Sequence, residues 1–420
     1  MRQACAIRIC LDIDAFAARG ASLVLGLAGL LFGCGQPVAT DGPPSTNRSP
    51  AGPSGFSARL DPATSPPSGA AAVAAGWYHT CALMVDQTVR CWGPAAGGLQ
   101  LDRASGRQAP VVTEVAGLGG AIGLVAGYAG TCVHLGDATA RCWGGNGFGQ
   151  LGDGTMVTRS TPVAVLNGRV VRQIALGEYH GCALDEDGAV ACYGDNDHGQ
   201  LGSGSTNPSL SPTVVTGLPE AREVAAGDGA TCARLADGTV ACWGNPMAIL
   251  DDAGLGGDGT RPARVVGLDH VTRLGVGGGF ACALTLTGTV SCFGWNDQGQ
   301  LGNGTLADAA SPTSVSNLTG VVDIAVGYMH ACALLADQTV ACWGSNQYGQ
   351  LGDGTRTARP SPIKIDGLPG VVQMSLGASH SCAVASTGSV FCWGDEFRSS
   401  GSDAADDPYA NRLTPEPVRL

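Results

Sequence analysis

The chain has 420 residues with a net charge of −12, and only 14% of them are charged, well below the usual quarter of a soluble protein. Lys364 is its one lysine and no basic cluster occurs, so the electrostatic footprint of a nucleic-acid binder is missing. Hydrophobic residues at 44% exclude wholesale disorder, and 66 glycines in so charge-poor a chain require dense turns.

At the N-terminus, Arg2, Arg8 and Arg19 precede the apolar run "ASLVLGLAGLLFGC". That run is short for a bilayer span and suits the core of a signal peptide. Its end, "LFGC" at Cys34, resembles a bacterial lipobox, which implies cleavage before Cys34 and a diacylglyceryl group on its sulfur. Residues 1–33 are therefore expected to be a lipoprotein signal peptide, with a plain secretory signal as the alternative. Residues 34–69, rich in Pro, Ser, Ala and Gly, bury too little apolar surface to fold and read as a flexible tether.

From residue 70 to 420 one pattern recurs seven times. Cysteine pairs fall at 81/91, 132/142, 182/192, 232/242, 282/292, 332/342 and 382/392, always ten apart, with a step of 51 once and 50 thereafter. A fixed period of this size marks a repeat architecture. Each copy starts with an apolar segment ending in Gly, such as "EVAAG". It continues through "xCAL", a turn, "xVxC", an aromatic-Gly pair, a glycine-rich run and "SPxxVxGL". Four short runs between turn signals read as four strands, and four strands per fifty residues make one propeller blade.

The hairpin can be read to the residue. In "CALDEDGAVAC" a three-residue loop with Gly188 left-handed pairs Asp185 with Ala189, Leu184 with Val190 and Cys182 with Cys192. The cysteines then stand in a non-hydrogen-bonded pair, where Cα atoms approach most closely. In an exported chain this favours one disulfide per blade: Cys81–Cys91, Cys132–Cys142, Cys182–Cys192, Cys232–Cys242, Cys282–Cys292, Cys332–Cys342 and Cys382–Cys392. Zinc or redox chemistry and buried free thiols are the alternatives; the C-x2-C spacing of zinc sites does not occur.

The segment "HACALLADQTVACWGSNQYGQLGDGT", His330–Thr355, resembles the regulator of chromosome condensation repeat. The match lies at His330, Ala333, Leu334, Val340, Trp343, Gly344, Asn346 and the Gly349–Gly352 run. The resemblance covers about five-sixths of the chain and implies an all-β, seven-bladed propeller; cysteine pairs occur in exported bacterial versions of the repeat. It also implies ring closure by the C-terminal "TPEPVRL", 414–420, completing the first blade. Members of that family bind proteins through a propeller face. Its founder acts on a nuclear GTPase and chromatin, one relative inhibits a β-lactamase, and a plant relative senses ultraviolet light through clustered tryptophans. Here the tryptophans mostly keep the repeat register, which points to blade packing.

Candidate chemistry is sparse. The GxGxxG matches at Gly147–Gly152 and Gly254–Gly259 lead into no helix, so the phosphate-binding dipole is missing. The S-x-x-K match, Ser361–Lys364, lies in a repeat strand. His79, His180, His330 and His380 precede a cysteine by two residues, with Gly130, Ala230 and Phe280 in the other copies; each histidine is expected to bond backbone inside its own blade rather than to bind metal. The acidic turn Asp185–Gly188 lacks an EF-hand-like ligand series. No catalytic set stands apart from the repeat, and no cofactor or metal is expected.

The repeat breaks at Pro94–Gln108, Asn245–Gly259 and Asp395–Leu413. Met247, Ile249, Leu250, Phe397 and Tyr409 carry no repeat duty there and are the candidate partner-binding residues. Together these readings describe a cell-envelope or secreted propeller, monomeric and tethered to the membrane by lipid alone. It would act as a non-catalytic scaffold for a protein partner. Inhibition of an exported enzyme, or a polysaccharide-active enzyme using the central channel, are the alternatives.

Overall fold

Short apolar runs cut by Gly, Asp and Asn cannot make helices, and in the computed structural model each becomes one antiparallel strand. The structure describes residues 68–93, 112–245, 258–395 and 411–420, with the backbone of 58–59, all within one compact unit, Ser49–Leu420. Among the described residues there are seven sheets whose four repeat strands pair in chain order, one sheet per fifty residues. Blade 3 is typical: Gln173–Leu176, His180–Leu184, Val190–Gly194 and Ser209–Val214. Burial grades outward. The innermost strand of blade 1, Ala70–Ala75, is wholly buried, whereas the outermost strand of blade 3 alternates half-buried and exposed residues. The repeated prolines, such as Pro212 and Pro362, sit in these edge strands, where a missing N–H costs no ladder bond.

The hairpin register is the expected one. Cys182 faces Cys192, Leu184 faces Val190, the Asp185 N–H donates to the Ala189 carbonyl, and Gly188 has φ +86°. All seven disulfides are formed within their hairpins, with Cα atoms 4.0–4.1 Å apart. Their sulfurs are shielded by the neighbouring blade. Each cysteine pair packs in a core cluster with the repeat aromatic of the blade that follows: Cys81 and Cys91 with Trp143, Cys182 and Cys192 with Trp243, Cys332 and Cys342 with Trp393. Blade 7 obeys the same rule, with Cys382 and Cys392 clustering with Trp92 of blade 1. The repeat aromatics therefore serve packing between blades, as their register predicts.

Two further devices join the blades. The glycine ending each innermost strand touches its counterpart in the next blade. A Cβ on Gly277 would lie 2.4 Å from the Gly327 carbonyl oxygen, and one on Gly377 would lie 2.6 Å from that of Gly76. This collar of glycines runs round the whole ring, which is why no copy can carry a side chain there. The second device corrects an expectation. The four histidines do not bond backbone in their own blades; each Nε2 meets a hydroxyl in the next. The pairs are His79–Thr131 at 2.6 Å, His180–Thr231 at 2.8 Å, His330–Ser381 at 2.9 Å and His380–Thr80 at 2.9 Å. Thr231 donates its own proton to the Gln200 carbonyl, 2.9 Å away. It must therefore accept from His180, whose Nε2 carries the hydrogen while Nδ1 is left without a partner.

Ring closure differs from expectation as well. The C-terminal strand, Arg412–Val418, pairs with Val390–Gly394 of blade 7, not with blade 1, whose outermost strand is Thr113–Glu114. The four repeat strands of each blade thus come from one contiguous stretch, and the last blade meets the first through the Ala70 N–H, which donates to the Gly388 carbonyl at 2.9 Å, and through side chains. Gln373 accepts from the Val73 N–H and donates to its carbonyl, Ser375 accepts from the Ala75 N–H, and His380 meets Thr80. Chain order explains the outcome: a strand eighteen residues past Gly394 already has an unpaired edge beside it in its own blade. Ala58–Arg59, placed in the tether by composition, forms a two-residue strand on the innermost strand of blade 2, pairing with Leu124 and Gly123.

Candidate functional site at the channel mouth

The two residues that follow each collar glycine turn the chain from the first strand into the second, beside the central channel. No two of these pairs are the same: Trp77-Tyr78, Tyr128-Ala129, Glu178-Tyr179, Asp228-Gly229, Gly278-Gly279, Tyr328-Met329 and Ala378-Ser379. The collar fixes where they emerge. The N–H of Trp77 donates to the Gly127 carbonyl, that of Tyr128 to Gly177, that of Glu178 to Gly227 and that of Asp228 to Gly277. Neighbouring turns are therefore held close enough for their side chains to meet.

Aromatic rings fill one arc of the mouth. Trp77 is its hub, with ring centroids 5.2 Å from Tyr128, 5.6 Å from Tyr78 and 5.3 Å from Tyr328 of blade 6, which it reaches past the small Ala378 of blade 7. Tyr128 continues to Tyr179 at 5.4 Å, and Phe148, from the glycine-rich run of blade 2, lies 4.5 Å from Tyr179. On blade 5 the absence of side chains makes room: a Cβ on Gly278 would strike the Tyr328 ring, and one on Gly279 the Trp295 ring.

The arc ends on acids. Glu178 is 3% exposed, and its Oε1 has no hydrogen-bond partner. Burial pushes its carboxyl up to about 9; Asp228 and Asp195 push the same way, and the Tyr179 hydroxyl only partly offsets them. Burial also raises Asp228, which hydrogen-bonds Glu178 and feels His198 as the one opposing positive influence. Tyr179 and Tyr128 are raised as well, first by burial and then by these neighbours. The mouth therefore joins π faces to a desolvated pair of acids whose protonated forms burial favours.

The glycine-rich run reads as architecture. Asn146 accepts from the Leu151 N–H and donates to the Thr155 and Val157 carbonyls, the Gln150 side chain accepts from the Phe148 N–H, and Leu151 is fully buried. The Gly147–Gly152 match is part of this self-satisfied loop, and Ser361–Lys364 lies in the edge strand Arg359–Lys364. Among the described residues no group of three or more His, Cys, Asp or Glu could hold a metal. Met247, Ile249, Leu250, Phe397, Tyr409 and the lipidation candidate Cys34 lie outside the described residues. The mouth was missed because sequence reading followed what repeats; the signal was the pair of positions that refuses to repeat.

A ring of seven four-stranded blades, locked one disulfide per blade and joined by repeat aromatics, defines a propeller of fifty-residue repeats. The chain belongs to the family of the regulator of chromosome condensation (RCC1) repeat, whose sequence signatures match residues 142–184, 187–234, 287–334 and 339–384, and also 70–93, 171–200, 271–300, 321–350 and 371–399. It is 32% identical over 133 residues to the ultraviolet-B receptor UVR8 of Arabidopsis thaliana, a match spanning 30% of either chain. Its fold is similar to that in the crystal structure of Kap60 bound to yeast RCC1 (Prp20), with TM-score 0.66, 21% identity, and coverage of 79% of this chain and 83% of that one. Human WBSCR16 is similar at TM-score 0.64 and 21% identity, covering 80% and 99%.

Proposed function

We propose that this protein is an exported, membrane-tethered propeller that acts as a non-catalytic scaffold and takes a protein partner on the face carrying the channel mouth. The observation that carries this reading is the concentration of sequence individuality on that face: the collar glycines, disulfides and packing aromatics repeat in all seven copies, whereas the turns at the mouth do not. Seven buried disulfides support an oxidising compartment. The lipobox-like Cys34 supports attachment to the cell envelope through the 34–69 tether, ahead of the propeller at 70–420. Among the described residues no helix is long and apolar enough to cross a membrane. Protein binding by relatives agrees: the solved structures include yeast RCC1 (Prp20) with Kap60 and a study of Prp20p binding to Gsp1p and histones.

The three connections where the repeat breaks, with Met247, Ile249, Leu250, Phe397 and Tyr409, join the third and fourth strands of blades 1, 4 and 7. In blade 2 the same connection brings Phe148 against Tyr179. They would extend the same binding face. The test is site-specific photocrosslinking in intact cells. A probe at exposed Phe148 or Tyr348 should trap a discrete protein, and one at Glu186, on the opposite hairpin turn, should not. Trapping at 186 with none at 148 or 348 would reverse the assignment. Adducts at none of the three would reject the scaffold.

A further inference from the structure

The mouth contains a buried acceptor with nothing to accept. Glu178 is almost completely removed from water, its Oε1 has no donor, and the groups acting on its carboxyl are the Tyr179 hydroxyl, Asp228 and Asp195. Across the blade boundary Asp228 faces Glu178 and His198. Among the described residues, no arginine or lysine is among the leading influences on either acid. A buried carboxyl pair normally carries its own cation or a full set of donors. Here the one opposing positive influence is His198 on Asp228, and Oε1 of Glu178 is left without a donor, yet the pair stands at the end of an arc of π faces, Tyr179, Tyr128, Trp77 and Tyr328, whose centroids follow one another at 5.2–5.4 Å.

Three ligand classes can be weighed against that geometry. A metal ion needs several oxygen or nitrogen ligands, and among the described residues no group of three or more His, Cys, Asp or Glu could hold one. A neutral sugar can stack on the rings but brings no charge to the acids. An organic ammonium group satisfies both halves: its N–H or N–CH3 groups meet the ring faces, whose quadrupoles attract cations, and its charge completes the acid pair. We propose that the channel mouth binds an organic ammonium group, seated with its charge on Glu178 and Asp228 and its alkyl part on the rings of Tyr179, Tyr128 and Trp77. The inference rests on the scaffold reading for its source, a lysine side chain offered by the partner; a free polyamine is the other source of the same chemistry.

Binding would favour the ionised pair, so a proton held by the pair should leave as the cation arrives. Calorimetry of the full chain near neutral pH provides the test, with N-acetyl-lysinamide and cadaverine as probes and N-acetyl-norleucinamide as the uncharged control. Both ammonium probes should bind at least tenfold more tightly than the control, with heats that depend on the ionisation enthalpy of the buffer. Glu178→Gln and Trp77→Ala should each weaken binding at least tenfold; should Trp77→Ala not fold, Tyr179→Leu replaces it. Tighter binding of the lysine probe assigns the group to a protein, and tighter binding of cadaverine to a polyamine, and both uphold the ammonium site. Equal affinity for the control, unchanged affinity in Glu178→Gln, or no proton release overturns it. If the crosslink at Phe148 persists while the ammonium probes fail, the ammonium site alone is wrong; if both fail, the scaffold falls with it.

Discussion

The histidine staples can be tested with a solution the protein already contains. Where one blade carries His at the position two before its first cysteine, the next carries Thr or Ser just before its own: His79 with Thr131, His180 with Thr231, His330 with Ser381, His380 with Thr80. Where that residue is apolar or Gly, so is its partner: Phe280 with Ala331, Ala230 with Ala281, Gly130 with Gly181. Phe280 lies on Gly277 as His180 lies on Gly177, so the two rings occupy equivalent slots. Thr231→Ala removes the acceptor of a fully buried Nε2–H, while the Gln200 carbonyl keeps the Trp243 indole N–H at 2.9 Å. One orphaned donor costs about 1–3 kcal/mol, and the lost methyl about 0.8 kcal/mol. His180→Phe alone leaves Thr231 donating to Gln200 and should cost about 1 kcal/mol. The pair His180→Phe/Thr231→Ala recreates the blade 5–6 junction and should return to within about 1 kcal/mol of the parent, a favourable coupling of roughly 2–4 kcal/mol. Urea unfolding of the oxidised chain at pH 7.5 measures each corner of this cycle. Strict additivity, or a Thr231→Ala cost below about 0.5 kcal/mol, would refute the staple. Acid gives an independent arm. Burial lowers His180 from 6.5 to about 4, so below pH 6.5 the unfolded chain takes up a proton that the fold refuses. The parent should lose roughly 3 kcal/mol at this site between pH 6.5 and 4, and the double variant should overtake it in that window.

The remaining predictions concern the other joints. Because every disulfide sulfur is buried beneath the next blade, thiol labelling after dithiothreitol treatment should find no free cysteine in native buffer and all fourteen hairpin cysteines at the urea midpoint. Removing one bridge as Cys332→Ala/Cys342→Ala should cost about 2–3 kcal/mol by urea unfolding. Gly277→Ala puts a Cβ 2.4 Å from a backbone oxygen of the next blade and should destabilise by roughly 3 kcal/mol, read as a fall in melting temperature. Ala138 and Gln338 occupy the left-handed hairpin position, φ 63° and 65°, that Gly188 fills in blade 3. Ala138→Gly and Gln338→Gly should therefore each stabilise by about 0.5–1 kcal/mol.

The parts legible in the sequence were those that repeat. Cysteines ten apart across a turn with Gly188 at its end admit one register, and the structure has it. The aromatic at 92, 143, 193, 243, 293, 343 and 393 is buried in every copy because a period-fifty position must do the same work seven times. Contacts between copies were harder. The partner of His180 is Thr231, in the same strand one blade further on, and only comparison of neighbouring copies at both positions at once would have found it. The mouth was harder still: Trp77, Glu178 and Tyr328 share a neighbourhood only because the ring brings three turns together, and no local pattern marks residues whose common feature is position after a glycine.

Closure of the ring follows from the same division between local and inter-blade contacts. A terminal strand that completed the first blade would make the first and last strands of the chain one hydrogen-bonded unit. Here Arg412–Val418 stays in blade 7, so blades 7 and 1 meet through parts used elsewhere in the ring: a collar glycine, the Ala70 N–H on the Gly388 carbonyl, a histidine staple like those at three other junctions, a polar bridge from Gln373 and an aromatic over a disulfide. The bridge to Val73 is not special to closure, since Gln173 makes the same bonds to Val224 between blades 3 and 4. The junction that completes the circle is therefore built from ordinary parts, its collar glycine shared with all seven junctions and its staple with three others. The frame repeats more closely than the seven turns it holds, so direction and specificity fall to those turns. The aromatic arc and its terminal acids are the largest departure from equivalence among them, and any partner that reads this protein in one orientation has to read it there.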